Sequence, residues 1–284
     1  MKGKWTVIQA CAAFIVILFM MALASIAYAQ ASFTGGTYTQ DFNTLATSGT
    51  NNTSLPDGWA LTEVGGGSRD NEQYAADDGG SNTGDTYSYG SNGSNERAFG
   101  ELTSGTLQST IGVQFQNNTG KIIGELTVSY ICEQWRYGGS TFGPDRMDFQ
   151  YSTDATSLTT GTWTDVNSLD CSSKVTSGTV GALDGNDSAN RTSVSGTITD
   201  LNVSNGSTFW FRWLPNNITD PDDGLAIDDF SMSGKTPNAI TLLSLTAASP
   251  PPAALPVLGL VALGGLAALD ALGIGAVLVR RRGA

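Results

Sequence analysis

The sequence predicts an all-β domain: a two-sheet antiparallel β-sandwich (jelly roll) flanked by an N-terminal signal helix and a C-terminal transmembrane helix. Three observations predict this class. Gly, Ser, Thr and Asn dominate the middle of the chain, where apolar residues fall in short alternating runs between turn-forming residues. The middle has no long segment with apolar residues at helical spacing. Both ends, in contrast, carry long apolar runs.

Residues 1–29 have the organisation of a secretory signal peptide. Lys2 and Lys4 precede the apolar run FIVILFMMALASIA, and the small residues of AYA end it before Gln30. An uncleaved membrane anchor is the alternative interpretation. In either form, the segment predicts export of the β-sandwich domain that follows, residues 30–234.

The body of the chain is predicted to contain about eight to eleven strands, a number typical of two packed antiparallel sheets. Alternating apolar residues indicate eight of them. They are residues 37–43, 112–117, 122–137, 146–153, 161–166, 193–201, 207–215 and 225–233. The Gly- and Asx-rich segment 65–100 is predicted to be a long loop with brief strands near 86–90 and 97–100.

The C-terminal end is predicted to anchor the chain in a membrane. A Pro-rich linker, residues 235–254, leads to the apolar segment 255–279, and crossing a bilayer takes about 20 such residues. Residues 280–284 include three arginines, which stay in the cytoplasm by the positive-inside rule. The whole tail, residues 250–284, resembles the PEP-CTERM and LPXTG sorting signals of bacteria. The resemblance implies a cell-surface protein whose β-domain is extracellular.

Composition narrows the partners and the chemistry. The chain has 26 acidic and 14 basic residues, and every acidic residue except Asp270 lies in the exported part. Such a surface repels nucleic acid and anionic lipid, and it suits either a soluble extracellular module or a divalent-cation binder. The expected partners are the membrane, through the C-terminal helix, and an extracellular glycan or a surface protein. The chain has no histidine, which excludes Ser-His-Asp and Cys-His catalysis and the usual zinc centres. A metal site would therefore use oxygen ligands, as calcium does.

Several segments of the body carry a family resemblance. They are QDFNTL, LPDGWAL, TYSYGSNGSNERAFG, EQWR, FQYSTDATSLTTGTWTDV, ALDGNDSANRTSVSGTI and DDGLAIDDFSMS. In this order they resemble a widespread type of bacterial secreted domain, related in appearance to the MAM and concanavalin-like jelly rolls, over residues 38–233. The resemblance implies an extracellular module and names no reaction. It also implies that the final strand lies beside the first and that a structural calcium is held by an acidic residue of each, here Asp41 and Asp229.

The final strand poses a question of its own. If residues 225–232 form a regular strand, alternate side chains face opposite ways, so Leu225 and Ile227 share a face with Asp229. Asp228 then lies on the other face, with Ala226, Phe230 and Met232. One carboxylate would face inward, and four explanations are open. They are a calcium ion held by Asp41, Asp229 and Asp228, a salt bridge to an arginine, backbone donors, and a bulge that exposes both carboxylates.

Two cysteines, Cys132 and Cys171, remain after removal of the signal peptide with its Cys11. Export permits a disulfide between them. A pair of buried free thiols is the alternative.

Aromatic residues suggest a glycan-binding surface. Alternation places Phe209, Phe211 and Trp213 on the core face of one strand and Trp210 on the other face. Trp210, Trp135 and Tyr137 are the candidates for a sugar-stacking platform. Aromatic side chains that merely cover the outer side of a sheet are the alternative.

Hydrolysis is not expected. A glycosidase needs two carboxylates across a cleft, and the candidates Glu96, Glu133 and Asp148 do not form the Glu-x-Asp-x-Glu pattern of concanavalin-like glycosidases. Pairing of Glu133 and Glu96 with Arg136 or Arg97 in a structural network is the simpler interpretation.

The sequence therefore predicts a non-catalytic, membrane-anchored extracellular β-sandwich for surface binding or adhesion, directed at glycans. A structural surface or matrix protein without a specific ligand is the first alternative, and a calcium-dependent hydrolase is the second.

Overall fold

Residues 29–139, 143–217, 219 and 221–235 are described by the computed structural model. The predicted signal peptide, apart from its last residue, lies outside these residues, as do the linker beyond Lys235, the transmembrane segment and the basic tail. Within the described residues, no helix has both the length and the apolar character needed to span a bilayer.

The described residues form fifteen strands and one 3-10 turn, Asn167–Leu169. The first seven strands are β1 (Ala31–Phe33), β2 (Thr37–Gln40), β3 (Trp59–Val64), β4 (Tyr74–Asp77), β5 (Asp85–Tyr89), β6 (Ala98–Leu102) and β7 (Gln108–Asn117). The others are β8 (Glu125–Tyr137), β9 (Arg146–Ser152), β10 (Thr164–Asp165), β11 (Cys171–Ser172), β12 (Gly181–Ala182), β13 (Arg191–Ile198), β14 (Thr208–Asn216) and β15 (Gly224–Lys235). Each of the eight predicted segments overlaps a strand, but the described residues form fifteen strands rather than the predicted eight to eleven.

The strands form two sheets. Sheet A has the order β1-β7-β14-β9-β10, with β3 also paired to β7 and β11 to β9. Sheet B has the order β12-β8-β15-β6-β5-β4, with β13 also paired to β8 and β2 to β15. From β6 to β9, and again from β13 to β15, consecutive strands alternate between the two sheets, as the chain winds in a jelly roll.

The sheets are not antiparallel throughout, which corrects the prediction. β1 runs parallel to β7, and β4 runs parallel to β5. β1 has only three residues and β4 has only four. They add short edges to sheets whose long strands all pair antiparallel.

The core lies between the sheets and is rich in aromatic rings. Phe230 of sheet B lies with its ring centroid 5.9 Å from that of Trp213 in sheet A, and Trp59 stacks on Trp213 at 5.9 Å. Phe209 and Phe211 join this cluster on the same face of β14 as Trp213, as alternation predicts. Aromatic pairs of this kind contribute roughly 0.5–1.5 kcal/mol each beyond the burial of their apolar area.

A disulfide connects the two sheets. Cys132 of β8 in sheet B is bonded to Cys171 of β11 in sheet A, with a Cα–Cα distance of 5.3 Å. Of the two interpretations of these cysteines, the structure contains the bonded one. Both residues are buried in the core.

Candidate functional site

Trp210 lies in a small apolar cluster on the outer face of sheet A. It alternates along β14 with the core residues Phe209 and Phe211, so its side chain leaves the opposite face of the sheet. There it packs with Ala60 of β3 and with Leu158. The loop that carries Leu158, residues 153–163, follows β9 and covers this part of sheet A.

Arg212 holds the covering loop against the sheet. Its guanidinium donates from Nη1 to the carbonyl oxygen of Leu158 at 2.5 Å and from Nε to Gln150 at 2.7 Å. The guanidinium carbon also lies 4.0 Å from the ring centre of Trp163, within the range of a cation–π contact. Two interactions with the loop, at Leu158 and Trp163, and one with Gln150 of β9 thus preorganise the loop over Trp210.

Between the loop and the sheet is a cavity of about 240 Å³, which we call the Trp210 cavity. Its lining combines apolar and polar side chains. The apolar ones are Ala60, Leu61, Leu158 and Trp210, and the polar ones are Thr62, Glu72, Thr156, Ser157 and Thr159. The indole N–H of Trp210 is buried and has no hydrogen-bond partner. The indole N–H of Trp213 is also buried, but it faces Tyr130 in the core and does not line this cavity.

Trp135 and Tyr137 do not join Trp210 in a stacking platform, which corrects that expectation. Both lie on β8 in sheet B, whereas Trp210 lies on β14 in sheet A. Trp135 is only 1% exposed because its ring stacks on Tyr89 at 5.9 Å. Tyr137 is also buried. Of the three predicted residues, Trp210 lines the Trp210 cavity, and neither Trp135 nor Tyr137 does.

A second unusual cluster, here called the acidic triad, lies on sheet B. It comprises Glu96, Glu133 and Asp228, whose carboxylate oxygens come within 4.8 Å of one another. Glu133 and Asp228 belong to the paired strands β8 and β15, and Glu96 stands two residues before β6, which flanks β15 on its other side. Two paired strands and the segment that leads into a third therefore each contribute one carboxylate.

The triad is largely screened from water. Burial raises the pKa of Glu133 to about 8, while the indole of Trp135 donates to its Oε2 at 2.9 Å and opposes the shift. Burial also raises the pKa of Asp228 to about 9, and the neighbouring Glu133 carboxylate adds to the shift. The side-chain amide of Asn186, in the loop before β13, donates to Glu96.

A β-bulge after Asp228 explains why neither aspartate of β15 faces the core, since regular alternation already turns Asp228 to the outer face with Ala226. Asp228 is opposite Ile131 and Ser231 is opposite Ser129, so β15 has one extra residue here. Asp229 is that residue, with a left-handed φ of 48°. The bulge reverses the alternation, so that Phe230 and Met232 face the core together with Leu225 and Ile227. The predicted regular strand is therefore wrong, and neither aspartate joins the core cluster.

Asp229 and Asp228 are consequently separated. Asp229 is exposed and lines a shallow cavity of about 330 Å³ together with Asp41. This arrangement follows from the pairing of β15 with β2, which lies in the first predicted strand, residues 37–43, whereas the preceding β1 pairs with β7. Asp41 and Asp229 thus share a site, whereas Asp228 is buried in the triad.

The interpretation of Glu133 and Glu96 also needs a correction. The cation beside Glu133 is Arg191, whose Nη1 lies 3.9 Å from Oε1. Arg97 instead donates to Ser88 and Arg136 to the carbonyl oxygens of residues 79 and 80. Asp148, the third glycosidase candidate, pairs with Arg146 in sheet A, away from the other two.

Sequence reasoning missed the Trp163–Arg212 contact and the joining of Glu96 and Glu133 with Asp228. The sequence does carry a partial signal for the second. Each triad residue stands next to residues that fit a buried strand, in NERAFG, ICEQW and LAIDDF. The spacing between these segments contains no information on which strands are neighbours.

No family model and no curated protein matches the chain. Among solved structures, the K1 cleaved adhesin domain of Lys-gingipain from Porphyromonas gingivalis W83 has 12% identity and a TM-score of 0.38, covering 71% of this chain and 99% of that one. The K2 cleaved adhesin domain of Lys-gingipain has 13% identity and a TM-score of 0.37, with 70% and 98% covered. The CBM22-1 xylan-binding domain of Paenibacillus barcinonensis Xyn10C has 11% identity and a TM-score of 0.32, with 72% and 97% covered. Similarity this low does not identify a function, so the function is inferred from the side chains of this chain itself.

Proposed function

We propose that the chain is a non-catalytic carbohydrate-binding β-sandwich, displayed outside the cell membrane and held there by its C-terminal segment. The observation that carries the proposal is the Trp210 cavity, whose lining combines polar side chains with the indole of Trp210, which is 2% exposed and has an unpartnered N–H.

The apolar and polar side chains of the cavity match, respectively, the C–H faces and the hydroxyl groups of a sugar. The C–H faces of a sugar ring pack against aromatic and aliphatic surface, here Trp210 and Leu158. Its hydroxyl groups need donors and acceptors, which the hydroxyls of Thr62 and Ser157 and the carboxylate of Glu72 provide. At about 240 Å³ the cavity lies just below the roughly 300–1,000 Å³ typical of ligand pockets, so we expect a single sugar residue to enter it.

The unpartnered N–H supplies a source of affinity. A buried donor without an acceptor costs roughly 1–3 kcal/mol, and a ligand hydroxyl that accepts from Trp210 would recover that energy. The loop held by Arg212 is already in place over the cavity, which lowers the entropic cost of binding.

Two further features support a binding role without catalysis, outside the cell. Of the residues lining the cavity, Glu72 alone carries a carboxylate, whereas glycoside hydrolysis takes a pair. The disulfide fits an oxidising compartment, in agreement with the signal-like N-terminus and the anchoring tail of the sequence.

A glycan array with the full-length chain in a mild detergent tests the proposal. We expect the wild-type chain to bind a defined set of glycans, and Trp210→Phe to weaken binding about tenfold, since about 1.4 kcal/mol corresponds to a factor of ten. Trp213→Phe is the matched control because it removes a buried indole N–H that lies in the core and does not line the cavity. Absence of glycan binding by the wild type, or equal losses in the two folded variants, would contradict the proposal.

A further inference from the structure

The acidic triad has a feature that its hydrogen bonds do not explain. Each of its three residues has one carboxylate oxygen that is buried and lacks a hydrogen-bond partner, namely Glu96 Oε1, Glu133 Oε1 and Asp228 Oδ1. Glu133 is 0% and Asp228 is 6% exposed. Buried carboxylate oxygens are normally paired or bound to a metal, so three together indicate a missing partner.

Arg191 does not fill that role alone. Its Nη1 lies 3.9 Å from Glu133 Oε1, beyond hydrogen-bond distance, and its side chain is 42% exposed. One guanidinium also carries one positive charge against three carboxylates. With Arg191 counted, two negative charges remain to be compensated when the triad is fully ionised.

We infer that Glu96, Glu133 and Asp228 bind a divalent cation of the calcium type. Its double positive charge would balance the two negative charges that Arg191 leaves uncompensated. Two ligands of one ion lie at most twice the metal–oxygen distance apart, roughly 5 Å for calcium and roughly 4 Å for magnesium. Triad oxygens within 4.8 Å of one another lie inside the calcium limit, and calcium, unlike magnesium, also tolerates the irregular geometry of three carboxylates from separate segments.

The surroundings of the triad fit an ion that arrives from solvent and is then retained. Glu96 is only half-buried, which leaves a route to the site. The loop before β13 covers the rest, because Asn186 donates to Glu96 and Gly185 packs against the indole of Trp135. A Cβ at Gly185 would lie 2.3 Å from that indole nitrogen, which itself donates to Glu133.

A bound cation would tie together the paired strands β8 and β15 and the segment that leads into β6, near the bulge at Asp229. A ligand that binds only the folded state raises its stability with concentration. At a hundredfold excess over Kd, the expected rise in melting temperature is roughly 5–10 °C for a domain of this size.

The test uses the full-length chain in a mild detergent, stripped with a chelator and then titrated with calcium or terbium. We expect calcium to raise the melting temperature, and terbium to show luminescence sensitised by Trp135, which donates to Glu133. Glu133→Gln should remove both responses. Glu96→Gln, at a half-buried position, should weaken them without risk to folding.

Asp41→Asn is the matched control because Asp41 belongs to the exposed pair with Asp229. It should leave both responses intact. Loss of the responses in Asp41→Asn together with their retention in Glu133→Gln would assign the ion to the exposed pair and overturn the inference. A wild-type chain that responds to neither metal, while Arg191→Gln destabilises it, would show that Arg191 is the sole counter-ion and would also overturn it.

Discussion

The disulfide between the sheets permits a quantitative prediction. Cys132 and Cys171 are separated by 39 residues and lie in different sheets. Breaking the bond frees this loop in the unfolded chain without removing a strand from either sheet. The folded state should therefore survive, with a lower free energy of unfolding.

The magnitude follows from loop-closure entropy. For a closed loop of about 40 residues, the chain-entropy relation gives about 4 kcal/mol at 25 °C. In a domain of 150–250 residues each 1 kcal/mol moves the melting temperature by about 2–4 °C, so reduction should lower it by roughly 8–16 °C.

Thermal unfolding followed by circular dichroism, with and without reductant, measures the effect on the wild-type chain. Reduced wild type keeps both sulfur atoms in the core, so it separates the cross-link from packing, whereas the Cys132→Ala/Cys171→Ala variant loses both. Mass spectrometry of the unreduced chain should show the two peptides linked. A change of less than about 1 kcal/mol on reduction, or two freely alkylated thiols in the folded chain, would refute the reasoning.

Three further predictions concern separate parts of the chain. Burial, with the nearby carboxylates of Asp222 and Asp145, raises the pKa of Glu101 from 4.5 to about 8. Because the folded state holds this proton more tightly, stability should be full below pH 4.5 and fall as the pH rises to about 8. Glu101→Gln should flatten that decline in denaturant titrations, by at most about 5 kcal/mol of unfolding free energy at pH 8 and above. An unchanged pH profile of stability would contradict this prediction. Asp229→Gly should leave stability nearly unchanged. Asp229→Val should lower it by roughly 1–2 kcal/mol, because a β-branched residue disfavours the left-handed φ of 48°. Equal stabilities of the two variants would mean that the bulge relaxes. Deletion of residues 253–284 should release a soluble secreted domain, and continued membrane association of the truncated chain would exclude the proposed anchor.

The strands with clear alternation could be predicted from the sequence, and the bulge could not. Residues 207–215 place Phe209, Phe211 and Trp213 on one face, and the structure buries all three in the core. In β15 the same rule fails after Asp228, because one inserted residue exchanges the two faces. An Asp-Asp pair in the sequence does not show which of the two is inserted.

The two candidate sites depend on contacts between distant segments. The acidic triad requires Glu96, Glu133 and Asp228 to come from two paired strands and the segment before a third, which only the sheet order brings together. The Trp210 cavity exists because Arg212 holds the loop of Leu158 over the sheet. Periodicity identified the outward side chain of Trp210, but it carries no information on what covers that face.

The indole N–H signal of Trp210 offers the most direct test of carbohydrate binding. In proton–nitrogen correlation spectra of the full-length chain, each tryptophan gives one indole signal, and Trp210→Phe identifies the one that belongs to Trp210. Titration with a glycan selected on the array should shift that signal downfield and saturably, as the unpartnered N–H gains an acceptor. The indole signal of Trp213, in the core, should stay in place. A Trp210 signal that does not move while the glycan binds would place the sugar elsewhere and contradict the account.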